Sequence, residues 1–100
     1  MSAALPRDAA GAVADDIAGV VVNYNARQHL LSCVESLLGE GVTVTVVDNG
    51  STDGSAEALS ERFPHVSWLP TAANLGYGAA ANLGAAEVAE GVDLLVCNPE

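Results

Sequence analysis

The densest group of chemically capable side chains in this sequence lies at residues 48–55, DNGSTDGS. It follows a short apolar run, residues 42–47, that is typical of a buried strand, and it opens a segment with helical spacing. Ligands of open α/β sheets bind at such strand ends. Asp48 can accept hydrogen bonds from a base or ribose there, or it can satisfy the backbone of its own turn. Asp53 fits a helix-start residue better than a ligand group.

A second polar turn, Asn23-Tyr24-Asn25, ends an earlier apolar run. Asn25 and Gln28 have the spacing of a capping box, which predicts that Asn25 caps the next helix and that Tyr24 packs over it. In the alternative interpretation, Asn23 and Tyr24 line a ligand pocket beside the second strand. The sequence leaves both open.

A third polar segment, residues 74–82 (NLGYGAAAN), is a glycine-bearing loop that enters a helix. Its glycines permit close backbone approach, and a helix N-terminus attracts phosphate. Gly76, Gly78 and Ala81 also fit the dinucleotide fingerprint, with Glu100 as the acidic residue about twenty positions on. That fingerprint normally follows its strand at once, whereas here a loop intervenes.

Asn98-Pro99-Glu100 places an amide and a carboxylate after the last apolar run. Glutamate oxygen suits Mg²⁺ or Mn²⁺, although one carboxylate seldom holds Mg²⁺ without help from phosphate. The alternative is an ordinary turn.

Short apolar runs alternate with helical patterns along the chain, which predicts right-handed crossovers and an open, mostly parallel α/β sheet with helices on both faces. The predicted strands are 17–23, 42–47, 66–69 and 92–97, and the predicted helices are about 25–38, 55–63 and 78–90. The last strand has no neighbour after it, and an exposed edge invites self-association. We therefore expect these 100 residues to form only the N-terminal part of a larger fold.

Composition and charge narrow the possible classes of function and partner. The net charge is −10 with three basic residues, which argues against nucleic acid as a partner because phosphate contacts need a basic face. Residues 1–16 are alanine-rich without a signal-peptide pattern and are expected to be a disordered leader to a domain at 17–100. No apolar run is long enough to span a bilayer. Cys33 and Cys97 are interpreted as reduced core thiols, which fits a cytoplasmic location.

Taken in order, four segments resemble the family 2 glycosyltransferases of the GT-A fold, a Rossmann-like α/β architecture. They are VVVNYN (20–25), VTVVDNGSTDGS (44–55), NLGYGAAAN (74–82) and LLVCNPE (94–100). Within that family the chain looks most like bacterial enzymes of the rhamnosyltransferase type. The resemblance implies a nucleoside-diphosphate sugar as donor, a glycan or lipid-linked acceptor, inversion at the transferred sugar, and a cytoplasmic site that extends to the inner membrane face.

The resemblance also implies site residues. Asp48 would contact the nucleotide base, with Asn23 and Tyr24 bordering that pocket. Residues along the nucleotide-sugar would be Asn74, Gly76, Tyr77 and Gly78. Asn98 and Glu100 would take the place of the family's metal-binding Asp-x-Asp-like motif, with Mg²⁺ or Mn²⁺ as cofactor. Glu100 departs from the usual final Asp, and its longer side chain would shift the metal.

No general base is found, so the chain alone is expected to be incomplete and inactive, with no catalytic residue assigned. Two other functions stay open. The chain could be a noncatalytic nucleotide-binding or interaction module, or, on the glycine pattern of the third segment, an NAD-binding domain.

Overall fold

The computed structural model describes residues 17–88 and 91–99. The expected leader, residues 1–16, and Glu100 lie outside the described residues. The elements are β1 (Ile17–Asn23), α1 (Arg27–Gly39), β2 (Thr43–Asp48), α2 (Ser55–Arg62), β3 (Ser67–Pro70), α3 (Tyr77–Ala85) and β4 (Asp93–Cys97).

The four strands form one parallel sheet in the order β3-β2-β1-β4. This confirms the predicted α/β class. All seven residues of β1 are buried, as expected of a central parallel strand covered on both faces. The other predicted strands were within one residue of the observed bounds.

Helices cover both faces of the sheet. On one face, which we call the α1 face, α1 and α2 pack over a core that includes Val21, Leu30, Val34, Val46 and Leu59. On the other, the α3 face, α3 covers a smaller cluster. That cluster consists of Val20, Val22, Val47 and Ala80.

Gly84 explains how a helix of small residues packs on the α3 face. A Cβ built at this position would lie 2.4 Å from Cγ1 of Val20 and 3.0 Å from Cγ2 of Val47. The absence of a side chain thus allows close approach of the helix to the sheet.

Two local predictions were wrong. The third helix ends at Ala85 rather than near residue 90, because the N–H groups of Glu87 and Val88 bond three residues back, to Gly84 and Ala85, and tighten the chain into a turn. Asn25 does not cap α1. Its backbone has φ +50°, and its side chain accepts a hydrogen bond from Thr52 in the neighbouring loop.

Among the described residues, β4 pairs only with β1 and forms one edge of the sheet. Its side chains Leu94 and Val96 are exposed. Self-association through this edge stays a prediction.

Candidate functional site at the carboxyl edge of the sheet

The polar turns that follow the strands meet at one edge, because all four strands run parallel. β1 pairs with β2 so that Asn23 is level with Asp48, and Asp48 is level with Pro70 of β3. Successive side chains of a strand point to opposite faces. Asn23 therefore lies on the same face as Val21, and Asp48 on the same face as Val46, which is the α1 face. Tyr24 follows Val22, and Asn49 follows Val47, on the α3 face.

On the α1 face the strand ends form a closed polar network around Asp48, which is 5% exposed. Asn23 Nδ2 donates to Asp48 Oδ1 at 2.9 Å and to Ser51 Oγ at 3.1 Å. Ser51 donates from its backbone N–H to Asp48 Oδ2 at 2.9 Å and from Oγ to Oδ1 at 2.6 Å. Both carboxylate oxygens are thus engaged within the protein. Asn23 Oδ1 is buried without a partner among the described residues, which costs about 1–3 kcal/mol.

Ser51 and Asp53 tie the second turn to the start of α1. Ser51 Oγ accepts the Asn25 N–H at 2.8 Å. Asp53 Oδ2 accepts the Arg27 N–H at 3.1 Å, while Oδ1 accepts the N–H and hydroxyl of Ser55 at the start of α2. Asp53 therefore serves two helix starts, which extends the predicted helix-start role.

The pKa of Asp53 reflects these bonds. Desolvation by burial raises this pKa, but the hydrogen bonds from Ser55 and from the Arg27 backbone favour the charged form and hold the pKa below its usual value. The carboxylate is thus stabilised as an anion at the junction of the two helices.

On the α3 face the same edge is open. A cleft of about 280 Å³ lies between the strand ends and the loop before α3. It is lined by Val22, Tyr24, Asn49, Asn74, Gly76, Tyr77 and Asn98. Turns after β1, β2 and β4 and the loop after β3 all contribute to it, and Tyr24 and Tyr77 are 41% and 44% exposed. The lining combines aromatic faces with amides and backbone groups, which is the usual composition of an organic-ligand site.

Asn49 holds the glycine loop against the strand ends. Its Oδ1 accepts the Leu75 N–H at 3.2 Å, and its Nδ2 donates to the Gly76 carbonyl at 3.3 Å. Asn74 Oδ1 accepts the Gly76 N–H at 2.8 Å. Gly76 has φ +86°, a left-handed conformation that a side chain would strain. The loop is therefore shaped by the protein itself.

The structure brings together most of the predicted site residues and separates others. Tyr24, Asn74, Gly76, Tyr77 and Asn98 share the cleft, whereas Asn23 and Asp48 lie in the network on the α1 face. Gly78 lies in the first turn of α3 and does not line the cleft.

Sequence reasoning assigned no role to Asn49 or Ser51. The available signal was alternation along the strand, which places Asn49 on the face of Tyr24 and opposite Asp48. Ser51 is reached from Asp48 by the local side chain-to-backbone bond that acidic turn residues commonly make.

The metal prediction concerns Asn98 and Glu100. Asn98 lines the cleft, and Glu100 lies outside the described residues. Amide and carbonyl oxygens at Asn49, Asn74 and Asn98 are hard donors that suit Mg²⁺ or Mn²⁺. No carboxylate lines the cleft among the described residues, and these contain no group of three or more His, Cys, Asp or Glu side chains arranged to hold a metal. The amide oxygens alone suit a cation, and the part of Glu100 in such a site stays a prediction.

The remaining titratable candidates lie away from the cleft. His29 and His65 are exposed. Cys33 and Cys97 are free and half-buried against the core of the α1 face. Interaction between the two thiols lowers the pKa of Cys97 to about 7, and the same interaction together with burial raises the pKa of Cys33. In the described part of the chain, no helix is long and apolar enough to cross a membrane.

The fold is an open, parallel α/β domain with a cleft at the carboxyl edge of its sheet. Residues 20–92 match Glycosyl transferase family 2, so the chain belongs to this family. It is similar to the N-acetylglucosaminyl-diphospho-decaprenol L-rhamnosyltransferase of two strains of Mycobacterium tuberculosis, with 45% identity over 74 residues in each. The alignment covers 71% of this chain and 24% of each relative, so the chain spans about a quarter of their length. The predicted family is confirmed.

Proposed function

We propose that this chain supplies the donor-binding part of an inverting glycosyltransferase, with the cleft on the α3 face holding a nucleoside-diphosphate sugar. One observation carries the proposal: turns from all four strands converge on a single cleft that combines two exposed tyrosines with amides and backbone groups. Family membership supports transfer of a glycosyl group.

Different side chains of the cleft lining would contact different parts of the ligand. Tyr24 and Tyr77 present aromatic faces on which a nucleobase or a sugar ring can stack. The amides of Asn49, Asn74 and Asn98 both donate and accept, which suits ribose and sugar hydroxyls. Asp48 acts behind the cleft, where it fixes the end of β2 and thereby the position of Asn49. In this proposal Asp48 does not contact the nucleotide base, as the resemblance implied, but holds Asn49 in position.

The acidity of the chain bears on how a diphosphate is held. Its net charge is −10, and none of the described residues that line the cleft is basic. A divalent cation, held by Asn98 and Glu100 together with the donor's phosphates, would neutralise the diphosphate and the charge on the departing nucleotide. Backbone N–H groups at the start of α3 can add to this stabilisation.

In the proposed reaction an acceptor hydroxyl attacks the anomeric carbon of the donor while the bond from that carbon to the diphosphate oxygen breaks. The proton of the hydroxyl passes to a general base. No carboxylate or imidazole lines the cleft in residues 17–88 and 91–99, so no described cleft residue is assigned as this base. This chain contributes donor binding and orientation.

The relatives extend the proposal to substrates. Their name states transfer of L-rhamnose and an acceptor that carries N-acetylglucosamine on diphospho-decaprenol. We extend this to an activated deoxysugar donor and a lipid-linked acceptor, in polysaccharide or cell-wall synthesis. A lipid-linked acceptor would bring the protein to the inner face of the membrane from the cytoplasm.

Isothermal titration calorimetry tests donor binding. The 100-residue chain is titrated with UDP- and dTDP-sugars, with and without Mn²⁺, and with NAD. We expect heat for at least one nucleotide-sugar, stronger with Mn²⁺, and a loss of affinity of tenfold or more, about 1.4 kcal/mol, in Tyr24→Ala. His65→Ala, an exposed residue away from the cleft, is the matched control. No heat with any nucleotide-sugar would contradict the proposal.

A second candidate is a noncatalytic nucleotide-binding module, favoured by the lack of a base among the described cleft residues. Donor binding without transfer to any acceptor tested would support it. The NAD-binding alternative is disfavoured by the family match and by residues 71–76, which separate β3 from α3. Metal-independent binding of NAD in the same titration would revive it.

A further inference from the structure

Cys33 of α1 and Cys97, the last residue of β4, lie on the same face of the sheet, the α1 face. Cys97 is level with Val21 of β1, whose side chain belongs to the core under α1. Cys33 lies on α1 and packs against that same core. Pro99, two positions after Cys97, lines the same surface groove as Cys33, although the two cysteines are far apart in the sequence. Each thiol also shifts the pKa of the other. The fold therefore places the chain's only two thiols together.

We propose that Cys33 and Cys97 form a redox-reactive dithiol that closes into an intramolecular disulfide by exchange with a low-molecular-weight disulfide such as oxidised glutathione. One cysteine, as thiolate, attacks the reagent and displaces one glutathione thiolate, which gives a mixed disulfide. The other cysteine then attacks the protein sulfur of that mixed disulfide and displaces the second glutathione. Two protein thiols are oxidised, and one glutathione disulfide is reduced to two thiols.

A surface groove gives the reagent access. The groove, about 380 Å³ in volume, is lined by Gln28, His29, Ser32, Cys33, Ser36 and Pro99. Its described lining carries amides, hydroxyls and an imidazole but no carboxylate. An anionic disulfide such as oxidised glutathione therefore meets no negative charge in the described lining, despite the acidity of the whole chain. Cys33 lines this groove together with Pro99, which lies two residues after Cys97.

The bond would join elements that are weakly connected. In the described residues β4 is an edge strand paired only with β1, and residues 91–97 include the exposed Leu94 and Val96. A disulfide would fix the tip of β4 to α1 and remove conformational freedom from the unfolded chain. The oxidised form should therefore be more stable than the reduced form.

The test measures the effective concentration of the two thiols. The chain is equilibrated at low protein concentration with a series of oxidised and reduced glutathione ratios, in native buffer and in concentrated urea. Samples are quenched by alkylation and analysed by intact mass. We expect a product two hydrogens lighter, with an effective concentration at least about 100-fold higher in native buffer than in urea, because only the folded chain holds the thiols together.

Single variants provide the controls. Cys33→Ser and Cys97→Ser should each retain one glutathione under the same conditions, since the second exchange step is lost. The oxidised chain should also melt on the order of 10 °C higher than the reduced chain. Equal effective concentrations in buffer and urea, persistent mixed disulfides in the unsubstituted chain, or no increase in melting temperature would each overturn the proposal.

Discussion

The two faces of the sheet differ most at the carboxyl edge, where the same strands end in a closed network on one face and an open cleft on the other. On the α1 face, Asp48 is 5% exposed and accepts three hydrogen bonds from Asn23 and Ser51. On the α3 face, Tyr24 and Tyr77 are more than 40% exposed around the cleft. Residues adjacent in sequence thus divide between a closed structural network and the lining of an open cleft.

The difference follows from what covers each face. Two helices pack on the α1 face, and their starts are joined to the second turn through Asp53 and Ser51. One short helix of small residues covers the α3 face and begins beyond the loop, so the strand ends there stay accessible. A polar residue at a strand end is therefore not by itself evidence of ligand contact. The face of the sheet on which the side chain lies determines whether a ligand can reach it.

Asp48→Ala should have the largest effect. It leaves the buried Asn23 amide and the Ser51 N–H without their carboxylate, which should lower the free energy of unfolding by about 3 kcal/mol. Urea unfolding monitored by circular dichroism measures the change. Asp93→Ala removes an exposed acid at the sheet edge and should shift stability by less than about 0.5 kcal/mol. Equal effects for the two variants would refute the closed network.

A pair of glycine substitutions contrasts the two sides of α3. Gly84→Ala forces a Cβ against Val20 and should cost about 2 kcal/mol, because the core must shift to accept it. Gly78→Ala meets nothing within 4 Å and should stabilise α3 by about 0.5–1 kcal/mol, since alanine is the better helix former. Thermal melts of both variants give the comparison. A neutral Gly84→Ala would mean that α3 lies farther from the sheet.

Asn49→Ala tests whether one side chain both stabilises the fold and shapes the cleft. Its amide anchors the glycine loop through Leu75 and Gly76, so its loss should cost about 1 kcal/mol of stability and at least tenfold in affinity for the nucleotide-sugar. Tyr24→Ala should weaken binding similarly with little loss of stability, because the ring is exposed. Calorimetry of both variants checks this split. An Asn49→Ala protein with unchanged donor affinity would show that the loop does not form the site.

Acid should weaken the junction at Asp53. Its pKa is lowered in the folded state, so its contribution to stability is present above the unfolded value near 3.9 and is lost as pH falls through the folded pKa. Asp53→Ala should cost about 1 kcal/mol at pH 7 and progressively less below about pH 4. Urea titrations across pH 2–7 measure it, with exposed Glu61→Ala as control. A cost for Asp53→Ala that does not change with pH would contradict the lowered pKa.

Much of the fold was predictable because the strands are short β-branched runs bounded by turn residues. The first strand was placed at its observed bounds, and the parallel order follows from the helical crossovers. The end of α3 was not predictable from small residues, which carry little amphipathic pattern and continue equally well as helix or turn.

The sequence predicted which turns form the site but not which residues of those turns line the cleft. β1 is buried on both faces, so its apolar run gives no alternation from which to tell which face Asn23 or Tyr24 would take. The interpretation of Asn25 failed because a tertiary hydrogen bond to Thr52 replaced the local cap. Face and partner are properties of the assembled sheet.

The most direct test of donor binding at the α3-face cleft is an amide chemical-shift map by NMR with UDP and dTDP, each in the presence of Mg²⁺. We predict that the perturbed amides cluster at Tyr24, residues 74–77 and Asn98, with little change at Gly41 and His65 near the amino ends of β2 and β3. Perturbations centred on Gly41 and His65, or none with either nucleotide, would contradict the assignment.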